Sequence, residues 1–138
     1  MGSLNAVPQE LDWVSTRAAC TIGQVFNKLC NEIEGDVSVI NTVRNLVDMD
    51  RFHIDKLGDG RTIVIGQPSR IPRVVVKVGI VGNEIEVQDD ATRSSWRVGI
   101  GLNNEGRCVL KNSDGQMEHW QFRNKALEPM FFGFMVKP

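Results

Sequence analysis

The sequence predicts an α+β domain in which a long N-terminal helix and a shorter second helix pack on a curled antiparallel sheet of about six to seven strands. Three observations carry that expectation. Apolar residues recur every three or four positions over residues 10–34, the period shortens to two from Arg51 onward, and Gly, Asn and Asp turn residues then punctuate the chain at short intervals. A chain of 138 residues, 41% apolar and 24% charged, suffices for one soluble domain whose core needs neither disulfide nor metal. No linker, repeat or low-complexity segment divides it, so residues 1–138 read as a single unit.

The first helix rests on a stripe of Leu11, Val14, Ala18, Ile22, Val25, Leu29 and Ile33, widened by Ala19, Phe26 and Cys30. Pro8, Glu10 and Asp12 suit its first turn, and Gly35 offers a left-handed stop. Asp36 then caps a second helix whose Val37, Ile40, Val43 and Val47 point inward, although Val37-Ser38-Val39-Ile40 also fits a strand. Ahead of these, residues 1–9 read as a flexible leader, in part a cloning remnant, with no basic or apolar region of the signal-peptide kind.

Strands over 51–57 and 61–67 flank a Gly58-Asp59-Gly60 turn. Pro68 to Pro72 is a loop. Strands over 73–81 and 84–88 meet at Gly82-Asn83, and a two-residue turn there sets Ile80 opposite Ile85 and Val78 opposite Val87 on the buried side. Strands over 95–102, 107–112 and 116–123 continue the meander through Asn103–Gly106 and Asp114-Gly115. Residues 130–138 form an apolar arm, too short to span a bilayer.

The formal net charge is −1, which gives no bulk attraction to nucleic acid or to an anionic membrane. It is unevenly spread: 3 basic and 7 acidic residues in 1–50, against 12 basic and 9 acidic in 51–125. The three cysteines are an odd number, which argues against a secreted disulfide framework. Cys20 and Cys30 on one helix would sit about 15 Å apart, too far to pair. Both read as small core residues in a reducing, cytoplasmic compartment.

No Gly-rich phosphate loop, Cys-x-x-Cys, His-Glu-x-x-His or Gly-x-Ser-x-Gly occurs, so neither a cofactor nor a metal is expected. The acid/base candidates are His53 with Asp55, and His119 with Glu118, because an imidazole oriented by a carboxylate can move protons near neutral pH. Alternation alone, however, makes 51, 53 and 55 a wetted face opposite Phe52 and Ile54. A turn at Asp114-Gly115 would set Leu110 opposite His119, which places the imidazole beside Cys108 and Met117 as a pocket residue or as a buried one bonded to backbone. Arg97, Cys108, His119 and Trp120 are accordingly the ligand-binding candidates.

Gly79, Gly99 and Gly101 lie within strands on the face opposite the main apolar set, beside Lys77 and Arg97, and imply a bend, a bulge or a close approach. If the sheet curls strongly, a pocket could form between it and the helix. Helices followed by a curled sheet resemble the cone-shaped fold of nuclear-transport-factor-like proteins, a similarity of element order with no residue motif behind it.

Functionally, the first expectation is a non-enzymatic binding module, homodimeric or joined to a protein partner through Phe131, Phe132, Phe134 and Met135 of the apolar arm. The alternative is a small-molecule pocket protein or enzyme using His119, joined by His53 and Asp55, with its site between helix and curled sheet. The third is a weak single-stranded nucleic-acid binder using Arg97, Arg107, Trp120 and Arg123. No membrane partner is expected.

Overall fold

The computed structural model describes residues 12–69, 75–90 and 92–136, the side chains of 133–136 excepted. Among the described residues, three α-helices, α1 (Trp13–Ala19), α2 (Ile22–Val43) and α3 (His119–Val136), accompany one antiparallel sheet that is not closed. Its strands are β1 (His53–Lys56), β2 (Thr62–Gly66), β3 (Val75–Val81), β4 (Glu84–Asp89), β5 (Ser94–Leu102), β6 (Cys108–Asn112) and β7 (Gly115–Met117), hydrogen-bonded in chain order as a simple meander. The α+β class is as the sequence predicts; the helices are divided differently.

The expected first helix breaks before Ile22 and does not stop at Gly35. Thr21 is extended (φ −118°, ψ 153°), and its hydroxyl accepts a hydrogen bond from the Gln24 amide at 3.3 Å, an N-cap that starts α2 afresh. Past Gly35 the inward stripe simply continues from Ile33 to Val37 and Ile40, so both expected helices become one. The left-handed stop comes at Asn45 (φ 53°): its amide donates to Thr42 O and the Leu46 amide donates to Asn41 O, a Schellman end. Val43 and Val47, expected to point inward, are exposed. The short α1, capped by Asp12, buries no side chain, so Val14 and Ala18 are not core. Residues 1–11, with Pro8, Glu10 and Leu11, lie outside the described residues.

The central hairpin matches its reading residue for residue, with Ile80 opposite Ile85, Val78 opposite Val87, and Gly82 at φ 62° in the turn. The last hairpin slips. Asn112 pairs with Gly115, so the turn is Ser113-Asp114, and Leu110 faces Met117 instead of His119. After Met117 the chain is helical: Phe122, Ala126, Leu127, Met130 and Phe131 are buried at helical spacing. Residues 116–123 are therefore mostly helix, and the apolar arm is the end of α3, which runs through an exposed Pro129.

The core fills the space between the inner sheet face and α2 with α3. Leu29, Ile33, Phe122 and Met130 meet Ile65, Val76, Val78, Ile85 and Leu110, each almost wholly shielded from solvent. Half-buried Trp96 packs edge-on against Phe122 at the margin of this core, ring centroids 5.1 Å apart. On the outer face, a Cβ at Gly79 would come within 3.0 Å of Thr62 Oγ1, and one at Gly101 within 3.2 Å of Lys111 Nζ. Among the alternatives for those glycines, close approach by a neighbouring strand's side chain is what occurs there.

Two devices fix the ends of α2. At its start, Cys20 is bonded to Cys108 on β6, Cα atoms 5.5 Å apart and 88 residues apart in sequence. Cys20 is thus not a free core thiol; only Cys30 is free among the described cysteines, and it is buried. At the far end the buried Asn41 side chain donates to Phe52 O (3.0 Å) and accepts from Phe52 N (2.8 Å), clamping the entry to β1. Nearby, Gln67 Nε2 donates to Asp50 O at 2.6 Å.

The disulfide closes a loop long enough that Cys20→Ser should lower the unfolding free energy by about 2–5 kcal/mol, measured by urea denaturation without reductant. Burial pushes the Cys30 thiol up from 9.0 to about 11. Its neutral form is favoured in the fold, so that contribution is intact below pH 9.0 and is lost as pH climbs through about 11. Thiol titration near neutral pH should therefore find no fast-reacting thiol in the native protein, one after unfolding and three after reduction. Two or more thiols in the unreduced, unfolded chain would contradict the bond.

Asn41→Ala removes both hydrogen bonds and strands two buried backbone groups of Phe52, so a loss of about 2–4 kcal/mol is expected in the same denaturation assay.

Candidate functional site

α2 and α3 lie side by side and run in the same direction. Glu32 meets His119, Asp36 meets Arg123 and Arg44 lies over Phe132, so residue numbers rise together along both helices. Each helix turns one apolar row to the sheet. A second row on α2, stepping by three and four through Asp36, Val39, Ile40, Val43 and Arg44, turns toward α3.

Between the helices runs an open groove of about 450 Å³, lined by that row together with Trp120, Arg123, Asn124, Leu127, Glu128, Phe131 and Phe132. Its floor is buried Ile40, Leu127 and Phe131, whereas Val39 (60%), Val43 (77%), Trp120 (57%) and Phe132 (44%) remain exposed along its walls. Four large apolar side chains held in water around one channel are unfavourable unless something covers them.

One end of the groove is closed by a charge cluster. Arg123 Nε donates to Asp36 Oδ2 at 2.7 Å and its Nη1 lies 3.4 Å from Glu32 Oε1, which is also 2.9 Å from His119 Nδ1. Glu32 and Asp36 are one helical turn apart, so a single guanidinium spans both and sets the axial register of the two helices. At the other end the Arg44 guanidinium sits 4.9 Å from the Phe132 ring centroid.

The structure gathers some of the expected site residues and scatters others. His119 lies on no strand face; it opens α3 and shares a more polar recess of about 440 Å³ with Cys108, Lys28, Arg107 and Gln121. Cys108 in that recess is spent in the disulfide. Trp120 belongs to the groove instead. His53 and Asp55 line a small recess of about 140 Å³ on β1, the sheet edge opposite β7, so no acid/base group joins them to His119. Arg97 is on the outer sheet face, 3.0 Å from Glu86 and 3.7 Å from Glu84.

Arg97 and Arg123 are thus both held by carboxylates, and Phe122, two residues beyond Trp120, is wholly buried. Of the proposed arm contacts, Phe131 packs into its own core, 4.8 Å from Phe52, Phe132 is at the groove wall, and the side chains of Phe134 and Met135 lie outside the described residues. Val39, Val43 and Arg44 went unrecognised as site residues, although their spacing with Asp36 was visible as a second stripe. No cluster of metal-ligating side chains occurs among the described residues, and no described helix is long and apolar enough to cross a membrane.

No family model matches this chain, and neither the curated proteins nor the solved structures contain a match to it.

Proposed function

We propose that the chain is a non-enzymatic interaction module that receives an amphipathic helix of a protein partner in the groove between α2 and α3. The observation that carries this reading is the channel itself: exposed Val39, Val43, Trp120 and Phe132 above a buried apolar floor, with charges at both ends. Such a groove between two helices suits a third helix, whose own apolar row at three- and four-residue spacing would cover those walls. The sequence pointed to the C-terminal apolar segment as the partner surface; Phe132 keeps that segment in the proposal, and α2 supplies the other half.

The acid/base alternative is favoured by one observation, the 2.9 Å His119–Glu32 contact. It is the weaker reading because Arg123 shares the same carboxylate oxygen and the space between helices and sheet is occupied by core side chains. The Cys20–Cys108 bond favours an oxidising compartment over the reducing cytoplasm expected from the odd cysteine count.

A labelled, Leu-striped amphipathic peptide is a suitable probe. It should bind the full chain saturably at low protein concentration, and Val43→Glu, at a site already exposed, should weaken binding at least about tenfold with an unchanged circular dichroism spectrum. Equal binding by both proteins, or no binding by the wild type, would overturn the reading.

A further inference from the structure

Resting on the reading of the groove as a helix-docking surface, we infer that its occupant is a second copy of this chain, related by a two-fold axis that sets α2 antiparallel to the partner's α2. Charge is unevenly distributed along the groove wall. Asp36 and Arg44 stand four residues to either side of Ile40, on the same row as Val39 and Val43. That row carries a carboxylate at one end, bonded through Oδ2 to Arg123 of its own copy, apolar side chains in the middle and a guanidinium at the other end.

An antiparallel pairing centred on Ile40 puts Asp36 against Arg44 of the partner subunit, and Arg44 against the partner's Asp36, with the valines between them. A parallel pairing would oppose like charges at both ends. A row with this symmetry is complementary to itself in one orientation only, as an isologous contact requires.

Two further features agree. The four charged residues of the groove, Asp36, Glu128, Arg44 and Arg123, cancel, so two copies meet without net repulsion. Within one copy α2 and α3 run parallel and their dipoles repel; the two-fold opposes each pair to an antiparallel pair in the other copy. The same operation carries exposed Trp120, near one end of α3, toward the partner's Phe132 near the other end, so each copy presents both a protruding ring and an apolar wall to receive it.

The test uses the full chain and light-scattering mass over a wide concentration range. The wild type should reach twice the chain mass of 15.4 kDa. Arg44→Glu and Asp36→Arg should each weaken self-association at least about tenfold, since each opposes like charges twice in the homodimer. An equimolar mixture of the two variants should regain the dimer, because both contacts between them are again attractive.

Should Asp36→Arg fail to fold beside Arg123, Val43→Glu takes its place as a second disrupting variant. A wild type of 15.4 kDa throughout the range would refute the second copy; if that monomer still binds the probe helix, the groove reading survives, and if it does not, both fall. A dimer unaffected by Arg44→Glu and Val43→Glu would also refute the inference, because association would then use another surface.

Discussion

Seven strands in one meander are an odd number, so the chain leaves the sheet at the end opposite the one at which it entered. α2 leads into β1 and α3 follows β7, and both must return along the same face, which obliges them to run in the same direction. An even number of strands would have made them antiparallel. The parallel alignment brings Glu32 and Asp36 within reach of His119 and Arg123, and Arg44 within reach of Phe132. It also leaves two apolar rows facing one another across a channel that neither helix fills. The charge cluster and the groove are both consequences of that strand count.

The helix layer is held at its ends as well as by its buried face. The disulfide fixes the start of α2 to β6, and the Asn41 amide fixes its last turns to the backbone that enters β1. These anchors lie toward opposite sides of the sheet, so α2 is restrained across the meander and not at one point. Side chains on its groove wall therefore project from a helix with little freedom to roll. This limits the ordering cost of docking a partner there, and pre-organisation of that kind is what allows a modest apolar surface to bind usefully.

Much of the architecture was legible because it is written locally. Gly82-Asn83 between alternating apolar residues leaves one sensible register, and Val78, Ile80, Ile85 and Val87 fell into place. The same logic failed at the last hairpin because Ser113-Asp114 and Asp114-Gly115 are both acceptable turns, and a shift there reassigns every pairing beyond it. His119 was thereby drawn onto a strand it does not occupy.

Gly35 looked like a helix stop, but glycine inside a helix costs only about 1 kcal/mol, less than the burial of Val37 and Ile40 beyond it returns. The Cys20–Cys108 pair was invisible because its partners are distant in sequence and meet only once the sheet has formed. The groove was hidden for a related reason: Val39 and Val43 are unremarkable on one helix and acquire meaning only beside α3, whose own helical period was masked by Pro129 and a run of aromatics.

The direction of α3 relative to α2 can be measured with distance labels at exposed positions. If the helices are parallel in the register set by Asp36 and Arg123, residue 128 lies level with residue 41 and residue 121 with residue 34. Nitroxides at Thr42 and Glu128 would then be separated along the axis by only about 2 Å, and nitroxides at Thr42 and Gln121 by about 12 Å. Pulsed dipolar spectroscopy, with the protein diluted in unlabelled chain, should find the 42–128 distance to be the shorter of the two. The reverse order would mean antiparallel helices, and would contradict the account of the groove, its charge cluster and its partner together.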